Sequence, residues 1–217
     1  MSQLTFKFPF KTNYFEEDFY VSSNNFDAYK LIENWPKWPS RYVNIYGPSG
    51  CGKTHLANIL NKKINSFLVK ASELNDNTLP FIKLKQCLII DDYHGNIEEK
   101  LFYSLLNQCH QSNQYIIVNT LKPIKSFEIK LNDLKSRFEN FIYTGIDLPT
   151  DDLIRVILTK NFSDKQVKID AKLLEYILKN IHRSYEDIFD LIDKLDKLSL
   201  STGKSININL IKKVLNI

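Results

Sequence analysis

The chain has 217 residues, 43% of them hydrophobic and 25% charged, with a formal net charge of +4. That is enough apolar material for one α/β unit with a small appendage, which excludes a disordered chain, and the interspersed Lys, Arg, Asp and Glu form no basic stripe of the kind that reads DNA sequence. No run approaches the roughly 20 apolar residues of a membrane span, and the first residues lack a signal-peptide pattern. Cys51, Cys87 and Cys109 show neither CxxC nor Cys/His metal spacing, so a cytoplasmic protein with reduced thiols, no disulfide and no zinc is expected.

In chain order, Leu4, Phe6, Phe8 and Phe10 first alternate with other residues, a pattern that suits either a docking peptide or an added strand. Residues 42–46 form a short β-prone run, and after a glycine-punctuated loop residues 55–63 continue as a helix. Further strands are expected at 66–70, 87–91, 115–118 and 141–146, with helical pattern between several of them, notably 97–111. Strands alternating with helices predict an α/β fold with a parallel sheet, here of five strands. Beyond Pro149 only helical patterns remain, at 151–160, 171–180, 184–200 and 208–214. Leu173, Leu174, Ile177, Leu178 and Ile181 share one helical face, as do Tyr185, Ile188, Ile192 and Leu195, and Ser184 with Asp187 makes a capping box. The expected domains are a tail at 1–10, a base at 11–148 and a four-helix bundle at 149–217.

The strongest chemical signal is Gly47-Pro48-Ser49-Gly50-Cys51-Gly52-Lys53-Thr54, which satisfies GxxxxGK[ST] between a predicted strand and a predicted helix. Glycines let such a loop turn its backbone N–H groups inward onto phosphate oxygens, while the new helix presents its positive end to the same anion. Lys53 is suited to the β- and γ-phosphates of ATP or ADP, and the Thr54 hydroxyl to Mg²⁺. Leu88-Ile89-Ile90-Asp91-Asp92 is an apolar strand ending in two carboxylates, where Asp91 would hold Mg²⁺ and Asp92 would polarise an attacking water. Val118-Asn119-Thr120 ends the next strand with polar side chains, either set between the two motifs to orient that water or marking a plain turn.

With these motifs in hand, the chain resembles the DnaA family of AAA+ P-loop NTPases. Gly52-Lys53-Thr54-His55-Leu56 before a small residue, Ile90-Asp91-Asp92, and Leu134-Lys135-Ser136-Arg137-Phe138 carry the likeness from about residue 15 to the end. It implies an AAA+ base with a C-terminal helical lid. It also implies that His55 belongs to the nucleotide site, that residues 19–28, with Asn25, border the adenine, and that Arg137 is an arginine finger offered to a neighbouring molecule. The sequence ends after the presumptive lid without a DNA-reading domain, so the shorter Hda branch is expected. Gln3-Leu4-Thr5-Phe6-Lys7-Phe8 is similar to the motif by which that branch docks on the DNA polymerase sliding clamp, with Phe at two positions where Leu is more usual. The partners so implied are the DnaA initiator and the clamp, with a homo-oligomer left open and no sequence-specific DNA contact. The family's lid arginine falls inside the first turn of the third lid helix, where this chain reads Ser184-Tyr185-Glu186-Asp187. Arg183 lies just ahead of that turn, either to reach the phosphates or to stay at the surface. The function implied is regulation of replication initiation by stimulating hydrolysis of DnaA-bound ATP; the alternatives are an independent AAA+ ATPase such as a helicase loader, or a non-catalytic adaptor.

Overall fold

The computed structural model describes residues 14–203 and 205–217; Gln3, Leu4, Phe6 and Phe8 lie outside the described residues. The described chain divides into two compact units, 14–147 and 148–217.

In the first unit α1 (Phe26–Glu33) precedes β1 (Tyr42–Tyr46), which leads into α2 (Lys53–Lys63) and β2 (Ser66–Lys70). There follow a single-turn α3 (Leu79–Ile82), β3 (Cys87–Tyr93), α4 (Glu99–Gln111), β4 (Tyr115–Thr120), α5 (Asn132–Phe138) and β5 (Ile142–Gly145). The five strands are all parallel and lie in the order β2-β3-β4-β1-β5. A parallel sheet covered on both faces needs near-continuous apolar strands, and β3 and β4 supply them. Leu88, Ile90, Ile116 and Val118 turn to one face, against Phe102, Leu105 and Leu106 of α4 and Leu134 and Phe138 of α5. Because β1, β3 and β4 run side by side in one direction, their C-terminal ends come together on one edge, where open α/β sheets take ligands.

One buried polar residue ties this core to its loops. Asn44 in β1 is fully buried, donates to Val118 O (2.8 Å) and Thr120 Oγ1 (2.9 Å), and accepts from Ile124 N (2.8 Å). Its amide is therefore satisfied on both sides, as a buried amide must be to avoid a desolvation penalty.

Two strands outrun their sequence patterns. β3 continues to Tyr93 because its pairing with β4 slips between Ile90 and Tyr93, and Asp92 adopts a left-handed φ of 58° at that irregularity. β4 continues through Asn119 and Thr120, whose side chains are buried despite being polar. β5 is shorter than the expected strand, ending at Gly145. Helices α1, α3 and α5 had no clear sequence signature; α5 buries only Leu134 and Phe138, one i,i+4 pair, too little to register as a periodic stripe.

The second unit comprises α6 (Asp151–Asp164), α7 (Ala171–Asn180), α8 (Tyr185–Thr202) and α9 (Ile208–Leu215). Its core gathers Ile154, Leu158, Phe162, Ile177, Ile192 and Leu195 among others. Each helix starts at a side-chain cap: Thr150, Asp170, Ser184 and Asn207 accept from the backbone N–H of the residue three further on. At α8 the hydroxyl of Ser184 accepts from Asp187 N (3.0 Å) and donates to Asp187 Oδ2 (2.6 Å). Replacing Ser184 by Ala is expected to cost about 1 kcal/mol, read as a lower urea midpoint by far-UV circular dichroism; an unchanged midpoint would contradict the cap's contribution. Among the described residues no helix is long and apolar enough to cross a membrane.

Candidate functional site

The turn from β1 into α2 is built around glycine. Gly52 has φ 101°, which L side chains rarely adopt, and a Cβ there would stand 2.9 Å from Phe19 Cε2. A Cβ on Gly47 would stand 2.5 Å from the Ile146 carbonyl oxygen, closer than any real contact. The loop therefore reaches this compact path only with glycine at both ends. The helix it opens differs from those of the second unit: α2 has no side-chain cap and no acidic residue in its first turn. Its N-terminal N–H groups keep their positive end for an anion.

Beside this loop lies a cavity of about 340 Å³, lined by Ser49, Gly50, Lys53, Thr54, Asp91, Asp92 and Asn119 together with Tyr14, Lys70, Thr120 and Leu121. Asp91, only 7% exposed, accepts from Thr54 Oγ1 at Oδ2 (2.8 Å) and from Asn119 Nδ2 at Oδ1 (2.8 Å). The side chains that end β3 and β4 and the one that starts α2 are thus locked into a single chain of hydrogen bonds. Asn119 is fully buried, and its Oδ1 has no hydrogen-bond partner among the described residues. Lys53 Nζ donates to the carbonyls of Gly47 (2.8 Å) and Pro48 (2.9 Å). Cys51, at the back of the loop, is buried, and burial pushes its thiol up against the opposing pull of Lys53.

Asp92 differs from Asp91 in every respect that matters for chemistry. Its side chain is 69% exposed, its Oδ1 lies 3.9 Å from His94 Nδ1, and its left-handed backbone turns it away from the strand. A carboxylate so exposed is open to solvent water, whereas Asp91 is committed to its two donors.

The donor set suits a magnesium nucleotide. A hydroxyl and a carboxylate 2.8 Å apart are the hard oxygen ligands that Mg²⁺ takes in ones or twos, leaving its other positions to phosphate and water. Consistent with that incomplete set, no group of three or more His, Cys, Asp or Glu that could hold a metal is found among the described residues. The glycine loop and the uncapped start of α2 form the cradle a polyphosphate requires.

Several residues singled out from the sequence lie elsewhere. Asn25, 3% exposed, accepts from Ser22 N (2.9 Å) and donates to Tyr20 O (3.0 Å), which holds the segment ahead of α1 in shape. His55 Nε2 is 2.6 Å from Phe15 O, and its ring meets Tyr14 and Phe19 edge to face. Pro48, Cys51 and His55 belong to the loop and helix start but do not line the cavity. Arg183 forms a two-point ion pair with Asp151, Nε to Oδ1 at 2.8 Å and Nη2 to Oδ2 at 3.3 Å, and this contact holds the Asp151 carboxyl below its ordinary range.

Arg137, near the end of α5, is half-buried and donates from Nη2 to Asn107 Oδ1 of α4 (2.7 Å). It lies toward the beginning of β1: burial pushes the Tyr42 phenol up, and the Arg137 guanidinium is the largest influence opposing that rise. It does not line the cavity of its own chain.

Thr120, read with Asn119 at the end of its strand, lines the cavity, and Tyr14, Lys70 and Leu121 line it without having been singled out from the sequence. Lys70 had a signal, as a charged residue ending a predicted strand; what was missing was the strand order that sets it beside Asp91.

The fold is that of domain III of DnaA from Thermotoga maritima, with a TM-score of 0.79 at 21% identity over 96% of this chain and 98% of that one. DnaA from Aquifex aeolicus, solved bound to AMPPCP, gives 0.65 at 24% identity over 86% of this chain and 66% of that one. Sheet order, glycine loop and helical C-terminal unit give the chain the fold of the AAA+ P-loop class. The DnaA of Buchnera aphidicola subsp. Baizongia pistaciae is 28% identical over 99% of this chain and 53% of its own length. A family model described as "Hda, lid domain" matches residues 151–215, and one described as "RNA helicase" matches 43–122. The chain is thus similar to DnaA along its length and to the Hda lid over its C-terminal unit, and it spans about half the length of the curated DnaA relatives it matches.

Proposed function

We propose that the chain binds ATP or ADP with Mg²⁺ in the cavity beside its glycine loop and stimulates hydrolysis of ATP held by DnaA. In this reading residues 11–148 form the nucleotide-binding base and 149–217 the lid, and residues 1–10 dock on the sliding clamp through Gln3, Leu4, Phe6 and Phe8, all in the cytoplasm. The observation that carries nucleotide binding is the Thr54–Asp91–Asn119 chain at the foot of an uncapped helix. Lys53 would meet the β- and γ-phosphates from the loop, its ammonium exchanging the Gly47 and Pro48 carbonyls for phosphate oxygens. Thr54 and Asp91 would hold Mg²⁺, which when bound neutralises developing phosphate charge. Asn119 keeps Asp91 oriented and has a free buried acceptor for a water, and exposed Asp92 is the group suited to orient that water.

Support for action on a partner comes from Arg137. Its cationic end is held by a neutral amide and has no carboxylate partner among the described residues, so its charge is not compensated locally. The test combines the purified full-length chain, clamp loaded on DNA and DnaA carrying radiolabelled ATP. Phosphate release that requires all three components is the expected result. Release that is unaffected by omitting the chain would sink the reading.

A second reading, an independent ATPase, is favoured by the presence of Thr54, Asp91, Asp92 and Asn119 together at one cavity. It requires multiple turnovers by the isolated chain, whereas the first reading places hydrolysis on the DnaA-bound nucleotide.

A further inference from the structure

Among the residues at the cavity, Lys70 is the charged side chain left unexplained. It ends β2, the edge strand, and its Cα is the register partner of Asp91 across the β2–β3 pair. Adjacent strands lie about 4.8 Å apart, so the two residues leave the sheet side by side at its ligand-binding edge. Lys70 is exposed, lines the cavity with Lys53, Thr54, Asp91 and Asp92, and has no hydrogen-bond or ion-pair partner among the described residues.

The commitments of its neighbours show what it could recognise. Both oxygens of Asp91 are taken, one by Thr54 and one by Asn119. Asp92 points outward, 3.9 Å from His94. Lys53 approaches the cavity from the loop side, held at the Gly47 and Pro48 carbonyls. Lys70 stands on the opposite wall, with two strands, β3 and β4, between its own strand and β1 with its loop. An anion seated above Thr54 and Asp91 would therefore meet two ammonium groups from opposite sides, one fixed by backbone and one on a flexible four-carbon stem. A phosphate held directly by the loop needs only the first. A further phosphoryl group projecting beyond the loop, toward Asp91 and Asp92, would meet the second as well, which adds to Lys53 and to the Mg²⁺ proposed at Thr54 and Asp91 a positive charge from the β2 side that offsets the Asp92 carboxylate.

We propose that Lys70 is the residue by which this chain distinguishes a nucleoside triphosphate from a diphosphate, its ammonium contacting the terminal phosphoryl group from the β2 side. This rests on the nucleotide-binding reading given above. Lys70 is a specificity-determining residue here, supplying one charge-assisted hydrogen bond that a diphosphate cannot receive.

The test is calorimetric titration of the full chain with MgATP and MgADP, for the wild type, Lys70→Ala, Lys70→Arg and, as a control for general surface charge, Lys83→Ala. Lys70→Ala is expected to weaken ATP binding on the order of tenfold, the scale of one charge-assisted hydrogen bond, with ADP changed by less than about twofold. Lys70→Arg should restore most of the ATP affinity, and Lys83→Ala should track the wild type for both ligands. Equal weakening of ATP and ADP in Lys70→Ala, or no change in either, overturns the proposal while nucleotide binding itself stands. Failure of the wild type to bind either nucleotide overturns the underlying reading instead. Thermal denaturation of each variant without ligand separates a folding defect from a binding one, and Lys70→Gln, which keeps the stem and removes the charge, provides the same comparison if alanine destabilises the edge strand.

Discussion

Arg137→Ala is expected to reduce stimulated hydrolysis of DnaA-bound ATP by roughly 10³-fold or more while leaving this chain's own nucleotide affinity unchanged. The expectation follows from location. The glycine loop leaves the end of β1, whereas Arg137 lies near Tyr42 at its beginning. Five residues of strand at about 3.3 Å each separate these ends by roughly 15 Å, beyond the reach of an arginine to its own phosphates. A guanidinium so placed can act on a triphosphate only if another molecule holds it. Its hydrogen bond to Asn107 uses one of five N–H donors, so the planar fork stays available to a phosphate while its direction is restrained. Single-turnover release of labelled phosphate from DnaA, with and without the variant, measures the effect. A variant as active as the wild type would exclude the arginine-finger role, and the argument for action on a partner would go with it.

Lys53→Ala should behave in the opposite way. Removing the ammonium that faces the phosphates is expected to weaken MgATP and MgADP binding by roughly 10- to 100-fold, the range for hydrogen bonds to charged groups. Two part-buried hydrogen bonds, to the Gly47 and Pro48 carbonyls, are lost with the ammonium, and neither belongs to the sheet, so the fold should survive. If this chain's own nucleotide is regulatory, stimulation of DnaA should fall with occupancy and recover at saturating nucleotide. Arg137→Ala should not recover at any concentration. Fluorescent-nucleotide binding run beside the hydrolysis assay reads both. Stimulation by Lys53→Ala that stays at wild-type level with an empty site would show the P-loop to be dispensable for the activity.

The parts of this molecule that could be read from sequence are those where one physical rule dominates. Strands β3 and β4 are largely apolar on both faces, so their runs are continuous and stand out; β1 and β2 fall where the pattern sets them. The glycine loop is legible because steric exclusion leaves no alternative to glycine at 47 and 52. The lid helices combine apolar stripes with side-chain caps, two independent signals at each start. What escaped depends on relations between distant segments. Lys70 becomes a cavity residue through the strand order, which no local window contains. Asn119 reads from sequence as either a water-orienting residue or a turn signal, and its hydrogen bond to Asp91, 28 residues away in sequence, is visible only in the fold. The left-handed Asp92 arises from a register slip that neither strand encodes alone. Asn25 illustrates the converse: a polar residue in the stretch expected to border the adenine, whose amide is spent on the backbone of its own segment.

The close fit of Gly47 against the Ile146 carbonyl also bears on mechanics. Ile146 N donates to Tyr46 O, Asp147 N donates to Asn24 O, and Asn24 Nδ2 returns a bond to Asp147 O. The stretch by which the polypeptide departs from the sheet is therefore stapled on one side to the residue preceding the glycine loop and on the other to the approach to α1. Gly47 leaves no room for a Cβ between itself and Ile146, so bulkier side chains at 146 should register as altered phosphate affinity although residue 146 does not line the cavity.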